Sequence, residues 1–191
     1  GDTFLAVFET SATVAWAALP ASPSSMTAEG FVLEASSTNF GGEIIYSTFT
    51  PNVSLSTLTA GFSAALDRNT TYYFRVGSLN WGGTPNYTVL GSTVTRAKAP
   101  IQLSNSFLAV FETSATVAWA ALPASPPSMT AEGCVLEASS TNFGGGVVYS
   151  GFTPNVSLST LTAGLGTALD RNTTYYFRVA SLNWGGTPNY T

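Results

Sequence analysis

The stretch Leu66-Asp-Arg-Asn-Thr-Thr-Tyr-Tyr-Phe-Arg-Val-Gly-Ser-Leu-Asn-Trp-Gly-Gly83 decides the fold. Its Asp and Asn residues predict a turn, because their side chains bond readily to nearby backbone amides. Apolar and polar residues alternate from Thr71 to Asn80, and this period of two predicts a strand with Tyr72, Phe74 and Val76 facing inward. The Gly-Gly pair that follows predicts a tight loop.

This stretch returns as Leu169 to Gly186, within an internal repeat whose offset is 103 residues (169 − 66). Residues 4–88 align without a gap to residues 107–191 and differ at ten of 85 positions. Two domains are therefore predicted, at residues 1–98 and 99–191. The second copy has no counterpart of residues 89–103, so we expect it to be truncated before its final strand.

Seven short strands are predicted in the first copy, joined by loops rich in Pro, Gly, Ser and Asn. That number and spacing of strands indicate an antiparallel sandwich in an all-β chain. The predicted strands are Thr3–Glu9, Ser11–Leu19, Gly30–Ser37, Glu43–Phe49, Val53–Ala60, Thr71–Asn80 and Tyr87–Thr95.

The amino-acid composition excludes some classes of binding partner. Hydrophobic residues make up 45% of the 191, enough for two cores, whereas charged residues make up only 8%, against about 25% in an average protein. A net charge of −4 with six basic residues argues against nucleic acid, which requires a basic face. No apolar run approaches the roughly 20 residues of a membrane span. A surface with so few charges suits close packing with other copies.

The residues of the same strand and its turn resemble those of a known family. The pattern Leu66-x-x-x-Thr70-x-Tyr72-x-Phe74-x-Val76, followed by Asn80 and Gly82-Gly83 and preceded by Trp16, resembles a fibronectin type III domain. It is especially similar to the secreted or surface repeat proteins of bacteria, and the resemblance covers both copies almost end to end. Arg68 is a departure, because many relatives carry Pro there, but turns tolerate both residues.

The resemblance implies two tandem seven-stranded Greek-key sandwiches of immunoglobulin type, without disulfides. It implies that Tyr72 and Tyr175 are tyrosine-corner residues, whose hydroxyls bond to backbone just upstream. It also implies that Trp16 and Trp119 lie in the two cores.

Catalysis and cofactors are not expected. The chain has no histidine, which excludes His-based triads, general bases and metal ligands. Glu29 and Glu34 are interpreted as solvated charges and not as a carboxylate pair, because their odd spacing sends them to opposite strand faces. Cys134, the single cysteine, replaces Phe31 and is expected to be a small buried hydrophobe.

Four aromatic residues in loops are candidate contacts. Trp81 and Trp184 follow the sixth strand of each copy, and Phe40 and Phe143 lie in Gly-rich turns. Three interpretations remain open for the tryptophans: folding back over their own sandwich, packing on a protein, or stacking on a sugar. For the phenylalanines we favour covering of a sheet edge.

Six triplets match the Asn-x-Ser/Thr glycosylation sequon, three in each copy. Triplets of this kind also arise freely in a chain rich in Ser and Thr, so modification is a hypothesis only. The six asparagines are Asn52, Asn69, Asn86, Asn155, Asn172 and Asn189.

The sequence favours an extracellular or cell-surface structural module, a stalk, fibre or filament segment that associates with other copies or adjacent repeats. Its incomplete second sandwich has two explanations: the chain is a piece of a longer protein, or a neighbouring copy donates the strand. Two alternative functions are a module that binds carbohydrate or a cell-surface protein through the Trp81 and Trp184 loops, and a spacer in a secreted glycoside-degrading enzyme.

Overall fold

The chain forms two compact units, residues 1–95 and 96–191. The computed structural model describes residues 3–20, 22–23, 27–42, 46–61, 64–126 and 129–191. The boundary predicted from sequence, between residues 98 and 99, stays a prediction. In the structure the polypeptide after Thr95 packs within the second unit, where the side chain of Ala97 is fully buried.

The described residues of unit 1, residues 1–95, form seven antiparallel strands in two sheets. One sheet has the order β1-β2-β5 and the other β4-β3-β6-β7, so the chain crosses between sheets after β2, β4 and β5 in a Greek-key path. The strands are β1 Phe4–Val7, β2 Ala12–Ala15, β3 Phe31–Ser36, β4 Tyr46–Thr50, β5 Thr57–Ala60, β6 Thr71–Leu79 and β7 Pro85–Val94.

Unit 2, residues 96–191, repeats this arrangement with sheets β12-β9-β8 and β11-β10-β13-β14. Its last strand, β14, has three residues, whereas β7 has ten. The strands are β8 Ile101–Val110, β9 Ala115–Ala120, β10 Gly133–Ser139, β11 Tyr149–Thr153, β12 Thr160–Ala163, β13 Tyr176–Leu182 and β14 Pro188–Tyr190.

The all-β prediction of two sandwiches is confirmed. Each core lies between its two sheets: in unit 1, Val14 from the first sheet packs with Leu33, Tyr72 and Phe74 from the second. The inward positions predicted for β6 are right, because the period of two puts every second side chain on one face. The predicted strands mostly extend one to four residues beyond the observed ones, and residues 43–45 of the predicted fourth strand lie outside the described residues.

A tyrosine hydroxyl fixes the turn before β6. The Tyr72 hydroxyl oxygen accepts a hydrogen bond from the Asp67 backbone N–H at 3.1 Å, and the Tyr72 side chain is completely buried. In unit 2 the Tyr175 hydroxyl accepts the same bond from Asp170 at 3.0 Å, but this tyrosine is only half-buried and the bond lies at the surface. The same local geometry is thus shielded from water in one unit only.

We expect Tyr72→Phe to destabilise unit 1 by about 1–3 kcal/mol, because it leaves the Asp67 amide without its acceptor in a buried place. Burial also raises the pKa of Tyr72. The folded state therefore loses stability as pH rises above about 10, where the unfolded tyrosine already ionises. The Phe variant removes this alkaline loss, which denaturant unfolding at pH 7 and pH 11 measures.

The matched control is Tyr175→Phe in unit 2. Water reaches the Asp170 amide and replaces the lost partner, so the expected cost is below about 1 kcal/mol. Equal costs for the two variants would contradict the difference in shielding between the two corners.

Candidate functional site

The two tryptophan loops are tight and present their rings outward. Between β6 and β7, the Asn80 side-chain oxygen accepts a hydrogen bond from the Thr84 N–H at 2.9 Å, and the Asn80 carbonyl accepts one from Gly83 at 2.8 Å. Gly83 has φ +75°, a left-handed conformation that costs glycine little. Trp81 is 89% exposed and does not fold back over its sandwich.

The loop of unit 2 has the same construction. The Asn183 side-chain oxygen accepts hydrogen bonds from the backbone of Gly185 at 3.0 Å and Thr187 at 2.8 Å. Trp184 at its tip is 65% exposed. Both rings are therefore largely exposed on loops that an asparagine holds, and their role as contacts stays a prediction.

Phe40 and Phe143 stack on arginines. In unit 1 the Arg75 guanidinium lies 4.1 Å from the centroid of the Phe40 ring and 3.9 Å from that of Tyr87. Its Nε donates to Glu34 Oε2 at 2.7 Å. A cation between two rings and paired with a carboxylate is a stabilising arrangement. The aromatic face of Phe40 is thus used within unit 1, and its role as a contact for a partner stays a prediction.

The turn before β4 orients the Phe40 ring. Asn39 and Phe40 have φ of +52° and +60°, which a bulky residue rarely adopts without compensation. Here the Ser36 side-chain oxygen accepts hydrogen bonds from the backbone N–H groups of Thr38 and Phe40 at 3.2 and 3.1 Å. Together with the arginine stack, these bonds hold the strained turn. Phe143 repeats it, with φ +61° and the Arg178 guanidinium 4.1 Å from its ring centroid.

The expectation that Glu34 is a solvated charge is wrong. Glu34 is 6% exposed, and its second carboxylate oxygen accepts a hydrogen bond from the Tyr87 hydroxyl at 2.8 Å. Neighbouring rings and strands cover this outer sheet face, so burial and the Glu34 bond raise the pKa of Tyr87. Sequence spacing showed which face Glu34 occupies, but not that Arg75 and Tyr87 cover it.

β13 pairs with β10 along its whole length. On its opposite side, among the described residues, only the second half of β13 has a strand partner. Its partner β14 pairs only with residues 180–182, and the Thr191 N–H adds one bond to the Val179 carbonyl at 3.0 Å. Beside the unpaired half lies an open groove of about 530 Å³, which we call the acceptor groove. Phe107, Val110, Leu169, Tyr175 and Phe177 are among the residues that line it.

In unit 1 the corresponding space is filled by the second half of β7. Leu90 packs against the core there, and Gly91, with φ +107°, lies at a bulge opposite Phe74. Thr95 ends the segment: its hydroxyl donates to the Asp67 carbonyl at 2.7 Å and accepts from the Thr70 N–H at 3.0 Å. These contacts bury Tyr72 and Phe74, whose counterparts in unit 2 are only half-buried.

The sequon asparagines differ in accessibility. Asn69 is 1% exposed with φ +50°, so it acts as a buried turn residue of unit 1. Asn189 is half-buried and its side-chain amide donates to the Ala97 carbonyl at 2.9 Å. The other four are exposed, and modification of any of them stays a prediction. These four are Asn52, Asn86, Asn155 and Asn172.

Cys134 is fully buried in the core of unit 2, and burial raises the pKa of its thiol. In the part of the chain that the structure describes, no three His, Cys, Asp or Glu side chains come together as metal ligands would. Among the same residues no helix has the length and apolar character needed to cross a membrane.

Each unit has one sheet of three strands and one of four among the described residues, the two-sheet arrangement that the resemblance to fibronectin type III domains implies. A two-domain fibronectin type III segment of chicken tenascin is similar over 98% of this chain and 94% of that chain, with 17% identity and a TM-score of 0.49. The FN1–FN3 domains of chicken CNTN1 are similar over 97% of this chain and 62% of that chain, with 14% identity and a TM-score of 0.44. No protein-family model and no curated protein matches the sequence. The likeness to bacterial surface proteins stays a prediction.

We expect Arg75→Ala to destabilise unit 1 by on the order of 3 kcal/mol, because it leaves the buried Glu34 carboxylate without its cation and with only the Tyr87 hydroxyl as a partner. A double variant, Glu34→Gln with Arg75→Met, should recover most of this loss, since no buried charge remains. Denaturant unfolding followed by circular dichroism measures both.

Arg178→Ala is the matched control in unit 2. The side chains of Arg178 and Glu137 are 31% and 14% exposed, against 24% and 8% for Arg75 and Glu34. Water therefore compensates more of the loss, and the cost should be smaller. A larger cost for Arg178→Ala would contradict this account.

Proposed function

We propose that this chain is a non-enzymatic structural module of an extracellular stalk, fibre or filament, whose repeats associate through strand donation. The observation that carries the proposal is the acceptor groove of unit 2. It has the place and the lining of a strand site, and unit 1 provides the sequence that fits such a site. An edge of unpaired backbone groups beside exposed apolar side chains recruits strands.

The donor is a strand with the sequence of residues 89–95, Val-Leu-Gly-Ser-Thr-Val-Thr, from another copy of the chain. In unit 1 this segment supplies Leu90 to the core, Gly91 at the bulge and the Thr95 hydroxyl to the turn. The acceptor positions are the same in both units: Phe74 corresponds to Phe177, and Asp67 to Asp170. A segment that fits one unit therefore fits the other.

Near identity of the two units makes exchange between copies easy. A strand that leaves one first sandwich and enters another copy's second sandwich replaces one set of contacts by an almost identical set. The low charge of the chain, 8% of its residues, gives little electrostatic repulsion between copies. Head-to-tail exchange joins two different surfaces, and such contacts build an open filament when the rotation between copies does not close a ring.

The first test adds residues Val-Leu-Gly-Ser-Thr-Val-Thr-Arg directly after Thr191, in the register of unit 1. We expect the unfolding midpoint of unit 2 to rise by on the order of 5 °C or more, because the strand covers Tyr175 and Phe177. The control carries Asp at the position of Leu90 in the added segment, and a charge there cannot enter the core. Equal midpoints for the two extended chains would contradict the strand site.

The second test separates donation between copies from the strand site itself. Light scattering after gel filtration should show association of the 191-residue chain that increases with concentration. The extended chain, whose groove is filled from within, should remain a monomer. A 191-residue chain that stays monomeric at millimolar concentration would contradict donation between copies even if the extension stabilises unit 2.

The exposed tryptophans favour a second candidate function, a module that binds glycan or a cell-surface protein. Trp81 and Trp184 lie on loops already fixed by Asn80 and Asn183, and aromatic rings held in this way stack on sugars or pack on proteins.

If this function is right, Trp81→Ala and Trp184→Ala should together abolish retention on glycan arrays or on cells, with the unfolding midpoint unchanged. The exposed Phe49, which lies on a strand and outside these loops, provides the control through Phe49→Ala. Retention that is equal for all of these variants would contradict a role of the tryptophan loops.

A further inference from the structure

The segment of residues 96–103, Arg-Ala-Lys-Ala-Pro-Ile-Gln-Leu, fastens onto unit 2, and we call it the clasp segment. Its Ala97 is fully buried against Leu122, Ala131 and Val156. The Ala97 carbonyl accepts a hydrogen bond from the Asn189 side chain at 2.9 Å. The Lys98 carbonyl accepts one from the Ser181 hydroxyl at 2.7 Å.

The clasp segment then becomes part of the sheet. Ile101 pairs with Ala120, and Gln102 pairs with Trp119. With these partners, β9 extends over six residues, Ala115–Ala120, and Trp119 is buried. One short segment thus provides an apolar plug, two side-chain hydrogen bonds and a stretch of strand pairing to the unit that follows it.

Unit 1 has the same receiving surface without this segment. Five counterparts of the residues that contact the clasp segment, at an offset of 103, line an open pocket of about 250 Å³, which we call the clasp pocket. These counterparts are Trp16, Ala17, Leu19, Ser78 and Asn86.

These residues are less buried in unit 1 than their counterparts are in unit 2. Leu19 is half-buried where Leu122 is buried, and Trp16 is half-buried where Trp119 is buried. The strand β2 ends at Ala15, two residues before the counterpart of the end of β9. Trp16, Ala17 and Leu19 are identical to their counterparts in unit 2, so the lower burial of Leu19 agrees with the missing clasp contacts.

The backbone N–H groups at the end of β2 also have the direction needed to pair with a clasp segment. The Ala15 N–H donates to the Thr3 carbonyl at 2.7 Å, and the Trp16 N–H donates to Ser56 on the opposite side at 2.9 Å. Ala17 lies two residues beyond the end of β2. An extension of β2 to this residue turns the Ala17 N–H to the clasp side, since strand N–H groups alternate in direction. One residue of the pocket differs from unit 2: Phe31 replaces Cys134, and its ring packs on Trp16 with centroids 5.3 Å apart.

We propose that the clasp pocket of unit 1 binds a clasp segment carried by another repeat of the same sequence. This inference rests on the proposed role as a repeat module, but it concerns a different surface from the acceptor groove. Residues 89–103 then have two functions in succession. Residues 89–95 complete one sandwich, and residues 96–103 fasten the sandwich that follows.

The test adds Arg-Ala-Lys-Ala-Pro-Ile-Gln-Leu directly before Gly1, in the register that residues 96–103 have before Ser104. The unfolding midpoint of unit 1 should rise by on the order of 5 °C. Hydrogen exchange of the Ala17 amide, resolved by NMR, should become at least about tenfold slower because the amide gains a strand partner. A general effect of a longer chain would not protect this one amide.

The control extension carries Asp in place of its first alanine, the counterpart of Ala97, and should give neither effect. In the unextended chain, Ala97→Gly removes only the buried methyl group and should lower the midpoint of unit 2, which shows that the plug contributes there. The proposal is overturned if the two extensions give the same midpoint and the same Ala17 exchange rate. Since the acceptor groove is tested by an extension after Thr191, either proposal can fail without the other.

Discussion

Unit 1 depends on the pairing of β6 with the whole length of β7. The ladder runs from Leu79 opposite Pro85 to Thr71 opposite Val94, with one bulge near Gly91. β7 is an edge strand of its sheet, so it decides whether the core is closed to water on this side. Where β7 is present, Tyr72 and Phe74 have no exposed surface. Where β14 stops at three residues, the equivalent tyrosine and phenylalanine line a groove.

The same constraint explains why two nearly identical sequences are buried to different extents. Asn69 is buried and Asn172 is exposed, although the residues around both are the same. The hydroxyl of Thr95 joins the carbonyl of Asp67 to the amide of Thr70 and so holds the first turn. A hydrogen bond made by a residue about 25 positions further along the chain thus controls a turn that looks local in sequence.

Residues 89–103 are divided between the two units. Their first half belongs to the sheet of unit 1, and their second half supplies Ala97, Ile101 and Gln102 to unit 2. The clasp segment buries a small side chain and forms hydrogen bonds through its carbonyls, so it fastens the unit without a large apolar surface.

Much of the fold was predictable because it depends on local patterns. Alternation in residues 71–80 predicted the inward face of β6, and the Gly-Gly pair predicted the loop that exposes Trp81. The burial of Glu34 was not predictable, because its partners Arg75 and Tyr87 lie 41 and 53 residues away in sequence. Alternation shows which face of a strand a side chain occupies, but not which strand lies beside it.

The sequence by itself determined the repeat, the two sandwiches, the inward residues and the segment that the second copy does not contain. Only the tertiary structure decided what that segment does. It revealed that Arg75 is held between Phe40 and Tyr87, that residues 90–95 close a core, and that Ala97 plugs the next unit. The physical reason is that strand pairing joins residues far apart in the chain, and each such pairing removes water from side chains whose own sequence is unchanged.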